Sequence, residues 1–143
     1  MPSVEFHVLS EAGENVRNRY VCNLVERAYE QAQRVFVRTG TAAETQILDE
    51  LLWTFSDRAF IPHEIATANS PSDPHIAALI GPGEAPEAYR ALLINLAADL
   101  PADFDRYARV AEIVDADAER KKLARERYKQ YRDRGCSLET INR

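Results

Sequence analysis

Cysteine is scarce in this chain of 143 residues: only Cys22 and Cys136 occur, far apart and without metal-ligand spacing around either. The pair excludes a disulfide framework and a zinc ribbon, and both thiols are expected to be bystanders. Glycine is scarce too, at five residues, and none sits in a run of the kind that cradles phosphate. Histidine is limited to His7, His63 and His75, with no Gly-x-Ser-x-Gly elbow or Cys/His pairing beside them. His7 and His75 are therefore expected to have core or surface roles. No apolar run approaches the length of a membrane span. The stretch Met1-Pro-Ser-Val-Glu-Phe-His7 lacks the basic patch and apolar block of a signal peptide. These absences lead to the expectation of one cytoplasmic domain spanning residues 1–143, with no membrane partner, no cofactor and no metal.

What the chain has is an uneven distribution of charge. The net charge is −5, yet residues 119–134 carry eight Lys/Arg against three Asp/Glu, a balance of +5 that leaves −10 on the rest. A duplex-DNA binder would not usually divide its charge this way. The chain as a whole should be repelled by nucleic acid, while one helix could attract a short acidic partner.

That helix is Lys121–Gly135, a run of strong helix formers without proline that stops at a glycine suited to a left-handed C-cap. At about 100° per residue, Lys121, Arg125, Tyr128 and Arg132 fall in one narrow sector, and Leu123, Ala124 and Tyr131 form the adjoining apolar stripe. A cationic ridge thus borders a core-facing seam. Arg127 projects close to the seam, and its guanidinium should be paired or escape along the surface rather than remain buried alone.

Upstream, Val4–Leu9 alternates as a first strand, Val16–Gln33 has the apolar spacing of a helix, and Arg34–Arg38 reads as a second strand. A βαβ unit with its two strands as parallel neighbours is expected. Thr41 and Glu44 have the form of a capping box opening a helix to about Trp53, with Ile47, Leu48, Leu51 and Leu52 as its buried stripe. Trp53 lies nearly opposite that stripe, among Gln46 and Asp49. Further strands are expected at His75–Ile80, Ala91–Leu96 and Val110–Val114, and a short helix at Pro101–Tyr107. The alternation argues an α/β domain with a mainly parallel sheet flanked by helices.

An α/β sheet invites a search for a nucleotide site, and the turns do not supply one. Ser10–Asn15 has one glycine and two acids, Thr39-Gly-Thr41 is short and has no lysine, and Gly81-Pro-Gly83-Glu loses an amide donor to proline. The pairs Asp103/Asp105 and Asp115/Asp117 lie where helix caps are the ordinary explanation. The reading is therefore non-catalytic. A small nucleotide-binding enzyme is the alternative, and a direct nucleic-acid binder is a third possibility. What remains are recognition features: the outward Trp53, the Phe60-Ile-Pro62-His63 loop and the cationic helix.

Leu123-Ala-Arg-Glu-Arg-Tyr-Lys-Gln-Tyr-Arg132 with Gly135 closely resembles the C-terminal helix of the χ subunit of bacterial DNA polymerase III. So do Leu48-Asp-Glu-Leu-Leu-Trp53 with Phe60–His63, and the opening strand Phe6–Leu9. The likeness covers nearly the whole chain and is weakest over about residues 64–91. It implies a Rossmann-like domain without enzymatic activity, an adaptor in the clamp-loader assembly. It further implies that Lys121, Arg125 and Tyr128, with Arg132 alongside, receive the acidic C-terminal tail of the single-stranded-DNA-binding protein. The surface with Trp53, Phe60, Pro62 and His63 is implied to face the ψ subunit or a repair helicase, with nucleic acid contacted only indirectly.

Overall fold

The computed structural model describes residues 1–55 and 60–143. Within these residues seven strands form one sheet: β1 (Ser3–Val8), β2 (Val35–Arg38), β3 (His63–Ile65), β4 (Ala78–Gly81), β5 (Leu92–Asn95), β6 (Arg109–Val114) and β7 (Ser137–Asn142). Their spatial order is β3-β4-β2-β5-β6-β1-β7, and every adjacent pair is parallel. The α-helices of the described residues are α1 (Glu14–Glu30), α2 (Ala42–Thr54) and α3 (Ala118–Asp133). The architecture is a doubly wound, Rossmann-like α/β sheet.

Side-chain alternation along the strands divides the core in two. Val35, Val37, Ile80, Ile94 and Ile113 face α1 and α2, where Val21, Val25, Leu48 and Leu52 meet them. On the opposite side Val4, Phe6, Phe36, Leu93 and Val110 pack with Tyr89, Phe104 and Tyr131. Leu92–Asn95 is buried on both faces, as an apolar central strand requires.

The expected pairing of the first two strands is corrected: β5 and β6 lie between β1 and β2. Helix α1 has 17 residues, about 25 Å of rise, and its apolar stripe covers the intervening strands. Periodicity tells which face of a strand is buried, and leaves open which strand lies beside it. The strand expected from His75 begins only at Ala78, because the Asp73 carboxylate takes the His75 amide at 2.7 Å and the Ile76 amide bonds the Asp73 carbonyl. An aspartate-closed turn thus replaces the first residues of the ladder. The expected helix over Pro101–Tyr107 is one 3₁₀ turn, Phe104–Arg106.

Helix ends follow their local chemistry. Thr41 accepts the Glu44 amide at 3.1 Å and Glu44 reaches back to the Gly40 amide at 2.9 Å, a capping box displaced by one residue. Asp117 caps α3 by accepting the Arg120 amide at 2.9 Å, so the helix starts three residues before Lys121. At its other end Gly135 has φ +84°, and the amides of Gly135 and Cys136 bond the carbonyls of Arg132 and Tyr131. This is a Schellman motif. The chain then turns into β7, a strand that the sequence expectations did not include. Of the cysteines, Cys22 is buried, which pushes its thiol up to about 12, and Cys136 is half-buried.

Candidate functional site

Helix α3 presents two unlike sides. On one, Lys121, Arg125 and Tyr128 line a groove of about 270 Å³ with Phe6 and Val8 of β1 and Thr140 of β7. The ring of Tyr128 packs on Phe6 at 5.3 Å between centroids, which fixes it as one wall. Among the described residues neither Lys121 nor Arg125 has a carboxylate partner. Arg132 stands one turn further on, outside this groove, exposed and 3.7 Å from Asp133. The groove floor from β1 and β7 escaped sequence reasoning. Its signal was the apolar alternation Phe6, Val8 on the side of β1 that meets α3.

On the other side Arg127 turns inward. Its Nε donates to Glu112 at 3.1 Å and its guanidinium to the Ala98 carbonyl at 2.9 Å. Glu112 also accepts from the Tyr131 hydroxyl at 2.7 Å and the Asn95 amide at 2.9 Å. Burial pushes the Glu112 carboxyl up, and the charge of Arg127 and these donors act against that. The network ties the helix to the central sheet.

A second cleft, about 480 Å³, opens where β2, β5 and β6 end, lined among others by Arg17, Thr41, Leu96, Ala97 and Arg120. Nucleotides bind at this place in doubly wound sheets. Here the chain's own carboxylates occupy the anion positions. Asp115 accepts the Gly13 amide at the start of α1 at 2.7 Å and both Nε and a terminal nitrogen of Arg120, at 2.7 and 2.6 Å. Glu44 holds Arg17 at 2.7 Å beside the Gly40 amide. A phosphate arriving at either helix would meet a negative charge already seated, which weighs against the nucleotide-binding alternative.

The Arg120 hydrogen bonds hold the Asp115 carboxyl down at about 2. Its folded value lies below the ordinary value near 3.9 of an unfolded aspartate, so its contribution is complete above about pH 4 and is lost as pH falls through about 2. Asp115→Asn should therefore lower stability at pH 7 by about 2 kcal/mol. Urea unfolding at several pH values checks this: the variant should lose less stability than wild type between pH 4 and pH 2, and parallel curves would contradict the assignment.

The third surface is aromatic. Trp53 is 50% exposed and Phe60 66% exposed, with ring centroids 5.2 Å apart. His63 lies beneath Trp53 at 4.2 Å and is itself buried, one ring nitrogen 2.7 Å from the Ile61 carbonyl and the other 2.9 Å from that of Asp49. It can touch a partner only by way of Trp53. Pro62 is half-buried, and its carbonyl accepts the Ala77 amide at 2.7 Å. Of the two other histidines, His7 is buried against Tyr20 and Glu5, and His75 is exposed beside Asp73.

A family model described as "DNA polymerase III chi subunit, HolC" matches residues 1–139. The chain is 34% identical to the DNA polymerase III subunit chi of Pseudomonas aeruginosa over 139 residues, covering 97% of this chain and 95% of that protein. It is 29% identical to the subunit of the same name from Haemophilus influenzae, over 98% of this chain and 96% of that protein. The Escherichia coli subunit of that name is 31% identical over 84% of this chain and 81% of its own length. Matched along nearly its whole length by the family and its members, the chain belongs to the DNA polymerase III chi subunit family.

Proposed function

We propose that this chain is a non-catalytic, cytoplasmic adaptor of the DNA polymerase III clamp-loader assembly. Its α3 groove receives the acidic C-terminal tail of the single-stranded-DNA-binding protein, and the Trp53–Phe60 surface faces the ψ subunit or a helicase in its place. The observation that carries this reading is the groove itself: two cations without a carboxylate partner among the described residues, set above an apolar floor walled by Tyr128. An Asp-rich tail with an apolar terminal residue offers distributed charge, a carboxylate and a side chain that needs a dry pocket. A phosphate backbone has no use for the pocket. Contact with nucleic acid is indirect, as the −10 balance outside residues 119–134 favours.

Titrating a labelled acidic tail peptide against wild type and variants tests the reading. Arg125→Ala removes a charge-assisted contact worth roughly 1.5–3 kcal/mol, so affinity should fall by about one to two decades. Arg125→Lys should restore only part, since an ammonium cannot grip a carboxylate with two parallel bonds. Binding should weaken as salt rises. Trp53→Ala should bind the peptide normally. Unchanged affinity in Arg125→Ala, or equal loss in Trp53→Ala, would place the tail elsewhere.

A further inference from the structure

The groove on α3 is short. From Lys121 to Tyr128 the helix rises about 10 Å, which matches about three residues of extended peptide. An acidic tail longer than that needs a second support, and one borders the groove directly. Thr140, which lines the groove, belongs to β7, and β7 is the outer strand of the sheet beside β1.

Among the described residues no strand pairs with the outward edge of β7. Arg143 just past the strand donates its amide to the Val8 carbonyl at 2.8 Å, and its carbonyl accepts the Ser10 amide at 2.9 Å. In a parallel ladder the inward-bonding residues alternate, so Ser137, Glu139 and Ile141 turn their amides and carbonyls to β1. Leu138, Thr140 and Asn142 turn theirs to solvent. Edges of this kind are normally blunted by proline, charged side chains, a bulge or shortness, and here Glu139 is the one charge on the strand. The strand Ser-Leu-Glu-Thr-Ile-Asn is six residues long and has neither proline nor lysine, and its register with β1 runs unbroken from Ser3–Ser137 to Val8–Asn142. The opposite edge, β3, has only three residues.

We propose that β7 is a docking edge for an extended acidic peptide, which adds as an eighth strand along Leu138, Thr140 and Asn142 while its end occupies the α3 groove. The proposal rests on the reading of that groove as a tail receptor and extends it to the residues before the tail's last three. Charge selects the occupant. Glu139 lies on the face away from α3, so the α3 side of the edge carries no carboxylate from β7, and Lys121 and Arg125 stand above it without a carboxylate partner among the described residues. A second copy pairing edge to edge would bring two helices of charge +5 together, whereas an acidic peptide is attracted. Main-chain pairing then supplies affinity that depends little on sequence, and the groove supplies selectivity for the end.

The test uses a ten-residue Asp-rich peptide with an apolar C-terminal residue, and a peptide of its last three residues. Amide exchange followed by NMR should show new protection at Leu138, Thr140 and Asn142 on addition of the long peptide only. Asn142→Pro, at an exposed edge position outside the groove, removes an outward donor that the sheet does not use, and should weaken the long peptide about five- to tenfold and leave the short one unchanged. Asn142→Ala, which keeps the amide, should bind both within twofold of wild type. Should Asn142→Pro fail to fold, methylating alternate backbone amides in the middle of the long peptide must produce the same loss with the wild-type chain. If the edge substitutions have no effect while Arg125→Ala loses both peptides, the edge proposal is overturned and the groove reading stands. If Arg125→Ala retains both, the groove reading itself fails. Protection of the three amides without peptide, with dimers in sedimentation, would assign the edge to a second copy and overturn the proposal.

Discussion

Arg127→Ala should lower the unfolding free energy by about 3–5 kcal/mol, a large share of what holds a domain of this size. The reason is what it leaves behind. Glu112 is wholly buried, and its carboxylate is matched by the Arg127 guanidinium, the Tyr131 hydroxyl and the Asn95 amide. Removing the cation leaves a carboxylate that must stay charged without its counterion or take up a proton. Replacing both members, as in Glu112→Leu with Arg127→Met, removes the burden from both sides and should recover most of the loss. Urea unfolding of the two single variants and the double variant measures this. A single-variant cost below about 1 kcal/mol would mean that the pair is solvated or dispensable. Since the network joins α3 to β5 and β6, Arg127→Ala should also loosen the helix that carries the groove, seen as faster amide exchange across residues 124–131.

Much of this helix could be read before the fold was known. The spacing of Lys121, Arg125 and Tyr128 places them on one face, and the structure keeps them together at one groove. That Arg127 lies close to the seam and could not stay buried alone was equally legible; that it is buried, and on which partner, was not. Glu112 shares a face of β6 with Val110 and Val114, and a carboxylate between two core valines is a signal that its own segment cannot resolve. The floor of the groove was hidden for a related reason. In β7 Leu138 and Ile141 are the only apolar side chains and both are half-buried, so an edge strand with a solvated side reads like a tail. Strand order was beyond periodicity altogether, as the separation of β1 from β2 shows. Trp53 was visible because a large aromatic set opposite its helix's apolar stripe has no core to enter.

That position makes Trp53→Ala the second substitution with a large expected effect, this time on association. In the isolated chain half of the Trp53 surface is in solvent, and Phe60 is more exposed still. His63 fixes the indole from below, held by carbonyls of Ile61 and Asp49. A rigid, amphipathic aromatic beside a second exposed ring has the character of an interface centre, where truncation commonly costs at least about 2 kcal/mol. Trp53→Ala should therefore weaken ψ binding more than tenfold, and its unfolding midpoint in urea should fall only modestly, because half of the indole is already in solvent in the isolated chain. His63→Ala separates positioning from contact. Its ring is buried, so the variant should lose both stability and ψ affinity, whereas Phe60→Ala should lose affinity alone. Calorimetric titration of ψ with the three variants, beside urea unfolding of each, distinguishes these patterns. Normal ψ binding by Trp53→Ala would remove the aromatic surface from the interface, and the acidic-tail titration would be unaffected by that outcome.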